Sequence, residues 1–142
     1  MKRRLPFIVA TVIATLFIFS NSMQTAEISS QNSGGIADRI LWIFGLLGQA
    51  PDRELVILIV RKTAHIAEFT LHGILLANCF EMPYNRRIIY ILFFGLLTAC
   101  IDEYIQLFSY GRAGMIQDVF IDFIGTIVGT AVAGVSYKFR RK

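Results

Sequence analysis

Between Arg61 and His72 the chain reads RKTAHIAEFTLH, five ionisable side chains inside a segment whose flanks, 55–60 and 75–80, are mostly apolar. About 20 such residues suffice for a helix to cross the hydrocarbon core of a bilayer. Each charge near the middle of such a helix costs ~2.5–3.5 kcal/mol on insertion scales. The charges must therefore meet partners, or a water-filled cavity, supplied by other helices. At about 100° per residue, Arg61, His65, Glu68 and His72 fall on one narrow stripe, with Lys62 about 90° away. A polar stripe in a span requires an answering surface elsewhere in the chain.

Composition supports the membrane reading. Of 142 residues, 55% are hydrophobic and 17% charged, where a soluble domain carries about a quarter charged residues. The length fits one integral membrane domain over residues 1–142. The net charge of +4 does not point to nucleic acid, because the bases sit in three short clusters beside apolar runs and form no continuous basic face. Cys79 and Cys100 lie in apolar runs without metal or disulfide spacing and are expected to be buried free thiols.

Lys2, Arg3 and Arg4 precede an apolar run from Leu5 to Ser20. This also describes a secretory signal, but no clean small-x-small cleavage site follows and the rest of the chain is itself membranous, so a retained first span is expected. Residues 21–35 are polar, and Ser29 to Gly35 reads as a flexible loop. IADRILWIFGLL (36–47) is too short to span and is expected to lie at the interface, with Trp42 at headgroup level and Asp38 and Arg39 facing water. Pro51 and Asp52 then open the next helix, the proline in its first turn and the aspartate at the positive end of its dipole. The predicted fold is all-α: an integral membrane bundle of four transmembrane helices, at about 5–22, 55–80, 88–108 and 116–137, plus a short interfacial amphipathic helix on the outer side. Nine of the fourteen Lys and Arg residues fall at the N-terminus, in the 81–87 turn and at the C-terminus. Four spans put these on one face, which the positive-inside rule makes cytoplasmic. The expectation is a multi-pass protein of the cytoplasmic membrane with both termini inside.

At 1.5 Å per helical residue, Lys62 and His65 lie ~10–14 Å below the outer boundary. Asp102, Glu103 and Gln106 in the third span and Asp118 and Asp122 in the fourth fall in the same slab. Asp118, Asp122, Gly125 and Gly129 share a face within about 60°, and Gly125-x-x-x-Gly129 is a small-residue motif for close helix packing. Arg112, in the loop SYGRAGM, overhangs the slab as counter-charge. Glu68, Asp102, Glu103, Asp118 and Asp122 face Lys62, Arg112 and a third candidate cation, Arg61. Five carboxylates and three cations in a low dielectric must in part be protonated, bind a cation, or open to water.

These residues resemble the VanZ-like family of small bacterial membrane proteins. The likeness rests on Lys62-x-x-His65-x-x-Glu68, Gly73, Asp102-Glu103-x-x-Gln106, Arg112, Asp118 and Gly125-x-x-x-Gly129, and it covers all four predicted spans. Phe69 stands where the pattern has tyrosine, Asp122 where it has asparagine, and His72 replaces an apolar residue. The resemblance implies an accessory to glycopeptide resistance of the teicoplanin type; it implies no particular chemistry.

Two readings of the polar slab follow from the residues: an intramembrane ion-pair network that holds helices together, and a pocket open to the outer leaflet. In the second, Lys62, His65, Glu68, Asp102, Glu103, Gln106, Arg112, Asp118 and Asp122 would bind a lipid headgroup or a lipid-linked envelope intermediate, the bases taking phosphate. An enzyme is the alternative, a hydrolase or transferase with His65, Glu68, Asp102 or Asp118 in acid–base roles. No nucleophile or metal signature is present, and no cofactor is predicted. A divalent ion on Asp102, Glu103, Asp118 and Asp122 is conceivable, since hard oxygen ligands suit Mg²⁺ or Ca²⁺. A small transporter or proton relay is the third reading; without an internal repeat it would need a homo-oligomer.

Overall fold

The computed structural model describes residues 4–139. Lys2, Arg3, Arg140, Arg141 and Lys142, which entered the orientation argument, lie outside the described residues. The described chain is all-helical: α1 (Leu5–Ser22), α2 (Ala26–Leu46), α3 (Arg53–Cys79), α4 (Tyr84–Gln106) and α5 (Ile116–Phe139). Three of these, α1, α4 and α5, are long and apolar enough to cross a membrane. At 27 residues α3 has the length, but its charges set it apart from that group.

α3 is the hub, packed against α1, α2, α4 and, most extensively, α5. Its contact with α5 is a backbone approach. A Cβ on Gly125 would stand 2.6 Å from the Ile66 carbonyl oxygen and 2.8 Å from Phe69 Cβ, and one on Gly73 would stand 2.9 Å from the Thr126 carbonyl oxygen. Thr70 Oγ1 donates to the Gly125 carbonyl at 3.1 Å. The small residues let the two helices touch, and that closeness brings the short side chains of α5 within reach of α3.

The segment expected to be a loop is helical. α2 begins at Ala26 and runs through Ser29–Gly35 to Leu46, so the short helix expected at 36–47 is the second half of a longer one. Thr25 caps its N-terminus, accepting from the Ile28 amide, and Glu27 lies in the first turn. The rest of the reason is tertiary. Ala37 is fully buried against Val56 and Ile57 of α3, flanked by Ile40, Leu41 and Val60. Asp38 grips Arg53 through two bonds of 2.8 and 3.2 Å. Gly48, at φ 71°, closes the helix in the left-handed conformation that glycine adopts without strain. At the next helix Asp52 is the N-cap, so Pro51 precedes the first turn instead of occupying it.

Two long-range contacts show which ends lie together. The Ala26 amide donates to the Tyr110 carbonyl at 3.1 Å, joining the start of α2 to the α4–α5 loop. Arg4 pairs with Glu81 at 2.9 Å at the opposite end of the bundle. Large apolar side chains such as Leu16, Phe93 and Val135 are exposed on the spans' outer faces, as lipid contact requires. Neither cysteine is buried: both are free thiols, Cys79 half-buried and Cys100 exposed.

Candidate functional site

Four successive turns of α3 send their polar groups to different neighbours. Lys62 Nζ meets Asp118 Oδ1 of α5 at 2.5 Å. One turn deeper, His65 Nδ1 lies 3.4 Å from Asp122 Oδ1, also on α5. Glu68 turns to α1, where its Oε1 accepts from Asn21 Nδ2 at 2.9 Å. His72 Nε2 is 3.0 Å from Thr15 Oγ1, again on α1. The stripe is thus split between two partner helices. His72 is almost fully buried and belongs to the packing of α1 on α3.

α4 contributes a second layer. Asp102 is completely buried. Its two oxygens accept from Ser22 Oγ at 2.7 and 2.8 Å, and Gln106 Nε2 adds a bond of 3.2 Å. Gln106 also donates to Glu103 Oε1 at 2.6 Å. The other oxygen of Glu103 receives the Met115 amide at 2.8 Å, just where the chain turns into α5. Glu103 therefore holds the entry to α5, and Ser109 Oγ donates to the Ser22 carbonyl at 2.7 Å to close the same corner.

Asp122 differs from the other carboxylates. It is completely buried, and neither of its oxygens has a hydrogen-bond partner among the described residues; the His65 contact is its one ion-pair approach. Ligand atoms of His65, Asp102 and Asp122 lie within 4.8 Å of one another. Of the four carboxylates considered for a cation, the fold brings Asp102 and Asp122 together with His65. It places Glu103 on the Met115 amide and Asp118 on Lys62.

A cavity of about 160 Å³ opens above this group, lined by Arg61, Lys62, His65, Arg112, Asp118 and Asp122 among others. That is space for roughly five waters or one small polar headgroup. A second cavity of about 170 Å³ on the α1–α2 side shares Arg61, His65 and Arg112 and adds Asn21 and Glu68. The two arginines stand between the cavities. Among the described residues neither makes an ion pair, and Arg112 Nε is buried without a hydrogen bond. Burial pulls the Arg112 guanidinium below its ordinary value and the neighbouring Arg61 charge adds to the effect, opposed by Asp102, Glu103 and Glu68. A half-buried guanidinium beside a second one, with no carboxylate in ion-pair contact among the described residues, is suited to take an anion.

Sequence reasoning missed the α1 contribution. Asn21 and Ser22 read as the polar end of an apolar run, yet they bond to Glu68 and Asp102. The usable signal was two adjacent side-chain donors at the depth of the carboxylate slab. Phe69 needs no polar partner: it is fully buried against Ile18 and Ala99.

A family model described as VanZ/LLP1 matches residues 7–137, nearly the whole chain. No curated protein and no solved structure matches.

Proposed function

The chain belongs to the VanZ/LLP1 family of the matching model, and we propose that it is a four-span protein of the cytoplasmic membrane that holds the anionic headgroup of a lipid or lipid-linked envelope intermediate in the cavity between α3, α5 and the α4–α5 loop. On this reading α3 also crosses the membrane and completes the set of four spans, its charges screened by α1, α4 and α5. Both termini face the cytoplasm and the cavity opens to the outer leaflet. Occupying or remodelling outer-leaflet lipid there would weaken the hold of a lipid-anchored glycopeptide, giving teicoplanin-type resistance.

The observation that carries this reading is the arginine pair: Arg61 and Arg112 line the cavity beside Lys62 and have no carboxylate partner among the described residues. A guanidinium offers a planar fork that matches phosphate oxygens. The cavity's size admits a headgroup, while acyl chains would remain along the exposed apolar faces of the spans.

The test combines native mass spectrometry of the detergent-purified protein with susceptibility assays. Wild type should retain phosphatidylglycerol or polyprenyl phosphate in preference to phosphatidylcholine and should raise teicoplanin tolerance. The Arg61→Ala/Arg112→Ala variant should lose both at unchanged protein level. Unchanged lipid retention in that variant would sink the headgroup reading. A second reading, an enzyme acting on the same lipid class, is favoured by the His65–Asp122 contact at 3.4 Å, a base beside an orienting carboxylate. It predicts a lipid species that changes with wild type and not with His65→Ala.

A further inference from the structure

The cluster at the floor of the cavity carries an inference of its own. His65, Asp102 and Asp122 come from three different helices, yet each presents a ligand atom within 4.8 Å of the other two. Asp122 is completely buried with both oxygens free of hydrogen bonds. A buried carboxylate without a hydrogen-bond donor is costly unless a cation, a proton or water from the adjoining cavity answers its charge. Lys62, one turn away on α3, is taken by Asp118 at 2.5 Å. Arg61 and Arg112 line the cavity above. His65, at 3.4 Å, is in contact but makes no well-formed hydrogen bond.

Asp102 has the surroundings of a positioned ligand. Ser22 and Gln106 donate to it and fix its orientation, Oδ2 accepting from both while Oδ1 accepts from Ser22 alone and keeps a lone pair free. Such outer partners are what orient ligating carboxylates in metal sites. His65 and Asp122 line the cavity wall, so an ion between the three groups would keep coordination positions open to that space.

We propose that His65, Asp102 and Asp122 form a divalent-metal site, one imidazole and two carboxylates, that takes a first-row ion such as Mn²⁺ or Zn²⁺. The mixed nitrogen and oxygen donor set suits these ions better than Mg²⁺ or Ca²⁺, which favour oxygen alone. Ligand atoms no more than 4.8 Å apart have a common point within about 2.8 Å of each. Bonds of ~2.0–2.2 Å then require each side chain to close by roughly 0.6–0.8 Å, a rotamer adjustment and not a backbone movement. The site stands independently of the lipid reading, since it needs no occupant of the cavity.

The experiment uses the full chain in detergent micelles without phospholipid, stripped with chelator and then given Mn²⁺ or Zn²⁺ alone. After desalting, elemental analysis should find about one ion per chain in wild type and in Glu27→Gln, an exposed carboxylate variant on α2. Asp122→Asn, which keeps the side-chain shape, should lose at least tenfold in retained metal with an unchanged helical spectrum. Electron spin-echo measurements on the Mn²⁺-loaded wild type should show coupling to an imidazole nitrogen; this readout stands even if Asp122→Asn proves unstable. Wild type that retains less than a tenth of an ion per chain, equal retention in a folded Asp122→Asn, or Mn²⁺ without nitrogen coupling would each overturn the site.

Discussion

Lys62 Nζ meets Asp118 Oδ1 at 2.5 Å, tying the N-terminal half of α3 to the first turn of α5. Both side chains keep part of their surface open, 34% and 26%, so the pair is screened and contributes less than a fully buried one. Lys62→Met should lower stability by about 1–2 kcal/mol, chiefly by leaving Asp118 without its cation. Adding Asp118→Asn should restore most of the loss. Unfolding of the three variants in micelles, read as a double-mutant cycle, measures the coupling; additive losses would show that the pair is not energetically linked.

Gly125 decides how close α3 and α5 can come. A Cβ there would stand 2.6 Å from the Ile66 carbonyl oxygen, a backbone atom that no rotamer change can move. Gly125→Ala should destabilise by about 1–3 kcal/mol, and Gly125→Leu by more. Gly45, in the last turn of α2, has open space where a methyl group would stand, with nothing within 4 Å. Gly45→Ala should be neutral or stabilising by about 0.5–1 kcal/mol, because alanine loses less backbone freedom in a helix. Thermal unfolding of the purified variants orders them.

The docking of α2 on α3 should be acid-sensitive. The Arg53 guanidinium, bonded to Asp38 at 2.8 Å, holds that carboxyl below its ordinary value of 3.8. A carboxylate whose folded value is depressed adds stability above its unfolded value, and that contribution disappears as pH falls through the folded value. Spin labels on α2 and α3 should therefore keep a narrow distance distribution at neutral pH and broaden only below about 3.8. Asp38→Asn should remove this step, leaving the same distribution on both sides of it.

This helix also marks where local sequence stops being informative. The apolar runs of α1, α4 and α5 are legible because bilayer length and hydropathy act on each helix separately. α3 is legible by the spacing of Lys62, His65 and Glu68. Ser29–Gly35 carries loop composition, and what makes it helical is Ala37 seated on Val56 and Ile57, a contact with another helix. The site shows the same division. Depth along each helix assigned Asp102, Glu103, Asp118 and Asp122 to one slab, but depth is a single coordinate. Rotation about the helix axis turns Glu103 to the Met115 amide and brings His65 to Asp122. That rotation follows from the glycine contact between α3 and α5 and from α1, whose Ser22 is 80 residues away from Asp102 in the chain.

The arginine pair makes the last prediction, and it runs against the usual direction for a charge deletion. Arg61 and Arg112 line both cavities, the Arg61 charge adds to the lowering of the Arg112 guanidinium, and among the described residues no carboxylate makes an ion pair with either. In detergent without anionic ligand, Arg61→Gln should relieve that repulsion and leave stability unchanged or slightly raised, the pattern of a residue kept for binding at some cost in stability. Inorganic phosphate should reverse the order. A ligand that binds only the folded state stabilises by about 2.7 kcal/mol at one hundred times its dissociation constant. Phosphate titration should therefore raise the unfolding temperature of wild type well above that of Arg61→Gln. Arg112→Lys should recover only part of the shift, because an ammonium cannot offer the two-pronged contact of a guanidinium. Parallel phosphate responses in all three proteins would remove the arginine pair from the binding surface and leave it as a feature of packing alone.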